Sequence, residues 1–445
     1  MPSLTERQSL VIETLFAHAP DAAVRRLEQA LAEEIEQGGP LAEVHGLIAK
    51  EAAERRVRCA VLGPVMPLCR PSTLGDRRFP AVTATRLWTA LRASQPKLVE
   101  DAETSCLVLE DPNRPSEDIY NELCALAAEG LRGSDPAFEP VLECLRRDGD
   151  DAIALFIDYL DLVPLARKAV MRLPEWLGRM TDERSAMARL AYRDATELSD
   201  DAGPRLVELL LAHLTEPWKI LRILAAMVPR ANERYLAESE LGRFGGYVIA
   251  DIERRLADFR AFDPNDGRAA GQAAAQHLHG AAQEINEFET TMELSRDGPW
   301  GLRVTRAKQT LAEMAEARLG QIEKAIDQAL PLQLVRFGKG VRGAPKLTAD
   351  LDPRLVRRAE GLLGFFDGSR SSASSSGFGS TRAKVGEAMG ARMEQYIEDL
   401  LEALRAEAPG DLDRIHAYLD VAADFMGDLQ GEKAAQIVRR RAAAA

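Results

Sequence analysis

A chain of 445 residues, of which 46% are hydrophobic, is long enough for more than one domain and too apolar for wholesale disorder. Its formal charge of −13 repels phosphate, which argues against a protein-wide surface for DNA or RNA. Aromatic residues make up only 5%, and Ala and Leu dominate between regularly spaced charges, the composition of packed helices.

The N-terminal stretch "MPSLTERQSLVIETLF" lacks a basic segment followed by a long apolar run, and nowhere do about 18 apolar residues follow one another. These features predict a cytoplasmic protein, and the excess of Arg over Lys together with that of Ala points to a bacterial source. Cys59, Cys69, Cys106, Cys124 and Cys144 are odd in number and form no C-x-x-C, so buried, reduced thiols are expected in place of a disulfide framework or zinc site.

Helical periodicity begins at once. Thr5 caps "ERQSLVIETLFAHA", Asp21 opens a second helix that Gly38-Gly39-Pro40 stops, and a third covers roughly 41–58. Residues 61–80, richer in Pro and Gly, read as a loop before helices resume near 81–93, completing an N-terminal helical region over 1–110. From 111 to 234 short helices joined by tight turns give a solenoid-like pattern. Longer helices follow, expected at about 236–259, 268–294 and 302–329, as an antiparallel bundle over 235–367. Residues 368–380, "GSRSSASSSGFGS", read as a mobile Ser/Gly linker without core-forming side chains. A helical hairpin over 381–430 follows, with an apolar seam (Leu412, Ile415, Leu419, Ala422, Met426, Leu429) that needs a partner, either the body of the protein or a second copy. A basic, Ala-rich tail occupies 431–445. The fold class is therefore all-α: a short-helix solenoid-like region, a long antiparallel helical bundle and a C-terminal helical hairpin.

Within the short-helix region, "TEPWKILRILAAM" places Glu216-Pro217 at a turn, Leu221-Arg222 after it and Ala225-Ala226 behind, preceded by the apolar helix "RLVELLLAHL". This unit, at about 204–228, resembles one repeat of the HEAT-type α-helical repeat proteins. The resemblance implies a stacked helical surface for protein contact, with turn residues capping the second helix and the Arg bridging to a neighbouring unit. Trp218 and Arg222 are the candidate protein-interaction residues.

"FGKGVRG" at 337–343 matches the G-x-G-x-x-G spacing of a dinucleotide turn. That turn needs a preceding parallel strand and a helix opening directly after it, and Pro345 blocks the helix. The segment reads instead as a connector within a basic Gly-rich loop at 332–348, which carries Arg336, Lys339, Arg342 and Lys346 and no acid. Such a local inversion of charge suits an anion, an acidic partner or an anionic membrane surface. His277 and His279, two apart on a helix, point to different sides and cannot share an ion; Asp413, His416 and Asp420 share a face that reads as solvated. No G-x-S-x-G, H-E-x-x-H or Walker-type loop occurs, so no catalytic residue, cofactor or metal is assigned. The leading expectation is a non-catalytic scaffold, adaptor or regulatory protein that binds other proteins through helical surfaces. The alternatives are an α-helical enzyme with a site between bundle helices, or a peripheral membrane or anion-binding protein using residues 336–346.

Overall fold

The computed structural model describes residues 5–36, 42–70, 79–107, 116–149, 151–228, 230–337, 340–406 and 412–445. The fold is all-α, interrupted by one two-stranded antiparallel sheet. The chain divides into two compact units, Met1–Pro229 and Arg230–Ala445. Among the described residues no helix is long and apolar enough to cross a membrane.

The first unit runs α1 (Glu6–His18), α2 (Asp21–Glu36), α3 (Ala42–Leu62), α4 (Val82–Ser94), α5 (Pro96–Leu107), α6 (Ser116–Arg132), α7 (Glu139–Arg146), α8 (Ala152–Asp161), α9 (Val163–Leu177), α10 (Asp182–Thr196), α11 (Ala202–His213) and α12 (Ile220–Met227). The expected separation of 1–110 from 111–234 does not hold, because α3 packs on both α5 and α6 and the helices share one core. Arg167 of α9 fastens this junction. Its guanidinium donates to the carbonyls of Ala60 (2.6 Å) and Val61 (2.7 Å) at the end of α3, and to the Asn121 side chain (3.0 Å). A buried cation here answers the negative end of the α3 dipole and its unpaired carbonyls. Arg55 does the same for α1, donating to the carbonyls of Phe16 (2.6 Å) and Ala19 (2.9 Å). All five cysteines are free, but only Cys69, Cys124 and Cys144 are buried; Cys59 is half-buried and Cys106 exposed. Burial pushes the Cys124 thiol up to about 12, which leaves it unreactive.

The second unit runs α13 (Glu233–Ala237), α14 (Gly242–Ala261), α15 (Arg268–Thr291), α16 (Pro299–Leu319), α17 (Ile322–Ala329), β1 (Leu332–Phe337), β2 (Gly340–Pro345), α18 (Pro353–Gly368), α19 (Gly379–Arg405), α20 (Leu412–Gln430) and α21 (Glu432–Ala444). Two helices expected to be continuous are broken. A turn at 238–241 separates α13 from α14, and Gly320-Gln321 separates α16 from α17. Glycines let α15 and α18 approach closely: a methyl group on Gly271 would lie 1.9 Å from the Gly361 carbonyl oxygen. Phe259 and Phe365 (centroids 5.2 Å apart) and Phe288 and Trp300 (5.9 Å) fill the core around this crossing.

The Ser/Gly run is not an open linker. Backbone bonds from Ser369 to Phe365, Ala373 to Ser369 and Ser376 to Ser372 carry helical turns through it. The Ser369, Ser372 and Ser375 hydroxyls donate back to the carbonyls of Phe366, Ser369 and Ser372, so these three are satisfied without water, whereas the buried Ser376 hydroxyl has no partner among the described residues. Ser369, Ser372, Ser376 and Phe378 are buried, and Arg382 lies 4.1 Å over the Phe366 ring. Limited proteolysis is therefore expected to spare 369–378 until the unit itself unfolds. Early cleavage inside this run, with the unit still folded, would contradict the packing described.

The seam of the C-terminal hairpin is covered within the same unit from Ile415 to Leu429, while Leu412 at its start stays 44% exposed. α20 packs on α18 and α19, and its Tyr418 hydroxyl donates to the carbonyls of Ala349 (3.0 Å) and Lys346 (3.3 Å). The tail is likewise no loose basic extension. α21 folds back on α20 across Gly431 (φ 102°), burying Ala435 and Val438. Arg439 pairs with Asp424, and Arg441 with Glu398 (2.6 Å).

Candidate protein-docking groove and ionised seam

α9 carries two useful faces. Ala166, Ala169, Leu173 and Trp176 are buried, while Leu165, Lys168 and Arg172 follow the neighbouring stripe with helical spacing. α10, started by Thr181 whose hydroxyl accepts from the Arg184 amide (3.3 Å), turns Met187, Leu190 and Asp194 toward that stripe. Between them lies a groove of about 390 Å³ lined also by Met171 and Trp176. Met171 (58% exposed) and Leu190 (44%) present apolar surface to solvent at its rim. The Arg172 guanidinium reaches the Met187 sulfur (2.7 Å). Trp176 is 1% exposed, yet its indole N–H has no hydrogen-bond partner among the described residues. A buried donor left without an acceptor is costly.

Of the two residues singled out in the 204–228 unit, Arg222 is half-buried between helices. It donates to the Leu177 carbonyl (2.7 Å) and so fixes the end of α9 next to Trp176. Trp218 lies half-buried on the turn before α12, with the Lys219 ammonium 5.3 Å from its ring centroid, and does not line the groove. Sequence reasoning missed the groove itself: Met171 and Leu190 belong to ordinary amphipathic helices, and only the packing reveals that they stay exposed among the described residues.

The segment expected to be a basic connector is a β-hairpin. Its strands pair antiparallel from Leu332↔Pro345 to Phe337↔Gly340. Alternation in "LQLVRF" is the signal that could have found it. Arg336 and Lys346 are exposed, whereas Lys339 and the Arg342 side chain lie outside the described residues. The strand preceding the glycines runs antiparallel to the one that follows, unlike a dinucleotide turn.

A third feature runs between α14 and α15. Arg255 Nε lies 2.8 Å from both Asp251 Oδ2 and Glu284 Oε1, and Arg254 pairs with Asp251. Asp251 and Glu284 are both buried. Burial, reinforced by the neighbouring Asp251 charge, pushes the Glu284 carboxyl up to about 9. Burial opposes the Asp251 charge too, but hydrogen bonds with Glu284 and Arg254 hold its pKa below the ordinary range. At the exposed end of the same interface His277 Nδ1 stands 3.7 Å from Asp258. Among the described residues no group of three or more His, Cys, Asp or Glu is arranged to hold a metal ion.

The raised Glu284 value has a sign. Folding keeps a proton on Glu284 that an unfolded glutamate loses, so this contribution is complete below about 4.5 and is lost as pH rises towards about 9. Glu284→Gln, neutral at every pH, is expected to gain stability relative to the parent protein as pH rises across that window. Urea titrations of both proteins near the two ends of the window check this, and a constant difference would contradict it.

In comparisons with protein-family models, curated proteins and solved structures, the chain matches none.

Proposed function

We propose that this protein is a non-catalytic helical scaffold that holds an amphipathic helix of a partner protein in the α9–α10 groove. The observation that carries the reading is an apolar groove left open among the described residues, with Met171 and Leu190 exposed at its rim and Lys168 and Arg172 in its lining. Exposed Met and Leu at the rim adapt to varied partners. Helix-in-groove recognition reads apolar anchors at positions i, i+3, i+4 and i+7, and Lys168 and Arg172 on one wall favour acidic residues beside those anchors. Arg222 serves this function indirectly, by holding the α9 end in place.

The α14–α15 seam does not favour the enzyme alternative. Its two carboxyls are buried between helices; Arg254 and Arg255 answer the charge of Asp251, and Glu284 keeps its proton beside them.

A displayed library of helical peptides, panned in parallel against the parent protein and against a Met171→Asp/Leu190→Asp variant, tests the proposal. Enrichment of peptides with the expected spacing and acidic flanks, lost on the variant, is the predicted outcome. No enrichment, or equal enrichment on both proteins, would sink the scaffold reading of this groove.

A further inference from the structure

We infer that the open edge of β1 takes an extended, acidic segment of a partner protein as a third strand. This surface is separate from the α9–α10 groove and goes beyond the function proposed for it. The Lys346 amide donates to the Pro331 carbonyl (2.9 Å). With the register running from Leu332↔Pro345 to Phe337↔Gly340, alternate pairs bond across the hairpin, so Gln333 and Val335 exchange their backbone bonds with β2. The N–H and C=O groups of Leu332, Leu334 and Arg336 then point away from β2. Pro345, which has no N–H to give, sits opposite Leu332, where this pattern asks for none.

The side chains agree with this assignment. Gln333, Val335 and Ala344 line an open cavity of about 390 Å³ together with Asp399, Glu402 and Ala403 of α19, so that face of the hairpin looks toward α19, with Val335 still 42% exposed. Leu332 and Leu334 lie on the opposite face, and Leu334 is 82% exposed. An uncovered strand edge bearing aliphatic side chains is a template for another strand.

The charge selects the occupant. Residues 332–348 carry Arg336, Lys339, Arg342 and Lys346 and no acid, in a chain of net charge −13. Arg336 and Lys346 are exposed and have no ion-pair partner among the described residues. A second copy of the hairpin would set cations against cations, which disfavours strand pairing between copies. A lipid headgroup offers no ladder of amides and carbonyls to the edge. An extended peptide with an aliphatic and an acidic residue two positions apart, on the face that Leu334 and Arg336 share, satisfies the backbone and both side chains together.

A fluorescent peptide of repeating Thr-Val-Thr-Glu, which sets Val and Glu two apart on one face, and a second in which Lys replaces Glu, test this on the full-length protein. The Glu peptide is expected to bind saturably, to weaken with added salt and to slow amide exchange at Leu334 and Arg336. Leu334→Pro removes an outward amide while sparing the bonds of Gln333 and Val335, and should weaken binding roughly tenfold or more. Arg336→Glu should shift the preference towards the Lys peptide, so the inference stays testable if the proline variant loses its hairpin. Met171→Asp in the groove should bind the Glu peptide like the parent, which separates failure here from failure of the proposed function. No saturable binding, equal binding of the two peptides, or binding without exchange protection at β1 would overturn the inference. So would association with phosphatidylglycerol vesicles in place of the peptide.

Discussion

Replacing Glu233 with alanine is expected to lower the stability of the C-terminal unit by about 3 kcal/mol. Glu233 is fully buried at the start of α13, and its carboxylate accepts from the backbone amides of Ser295 (2.6 Å), Trp300 (2.5 Å) and Gly301 (2.9 Å). Two of these amides belong to the first turn of α16, whose N–H groups have no partner within the helix. A negative charge at that end also meets the positive pole of the helix dipole. The alanine variant leaves three amides without their acceptor inside the protein. The backbone amide of residue 233, which alanine retains, still holds the loop at 293–298 through the Glu293 carbonyl (3.2 Å). Glu233→Gln retains one acceptor oxygen and should fall between the two. The readout is the urea midpoint of the transition reported by Trp300, the one tryptophan of this unit. A midpoint unchanged in the alanine variant would show that the clasp is dispensable.

The second large effect is expected at Gly271. An added methyl there meets the Gly361 carbonyl oxygen at 1.9 Å and the Phe365 amide nitrogen at 2.7 Å. Both are backbone atoms of α18, so no side chain can swing aside, and the two helices must separate. Overpacking of this kind costs about 3 kcal/mol or more. Gly246→Ala is the matched control. It also lies inside a helix, α14, but its new methyl meets nothing within 4 Å. There the removal of glycine's backbone freedom should stabilise the protein by up to about 1 kcal/mol. The same substitution is thus expected to have opposite signs at two helical glycines, as thermal melts of the pair will show.

The helical class was legible because nearly every apolar residue recurs with a period near 3.6, and helix starts such as Thr5 and Thr181 carry recognisable caps. What failed depended on tertiary partners. The serine run at 369–378 lacks core-forming side chains over most of its length, yet its hydroxyls bond the backbone behind them and Phe378 anchors its end. The hairpin at 332–345 was masked by its glycines, which argue for a flexible loop until a register is known. Breaks at 238–241 and at Gly320 fall where an isolated helix would tolerate the sequence. Glu233 and Glu284 are two of 70 acidic residues, and nothing local distinguishes them from solvated ones. Their roles come from amides and guanidinium groups supplied by distant segments. The groove was hidden for a related reason. Periodicity tells that Leu190 lies on an apolar stripe, but not that the neighbouring helix stops short of covering it.

The most direct measurement of the scaffold reading follows the four indole N–H signals of the protein in a ¹⁵N–¹H spectrum during titration with an amphipathic helical peptide flanked by glutamates. The Trp176 signal is expected to move saturably as the groove that its ring lines is filled, while Trp88 and Trp300, buried elsewhere, stay in place. Met171→Asp/Leu190→Asp should abolish the shift. A Trp176 signal that does not move while the peptide binds, or that moves equally in the groove variant, would contradict the account.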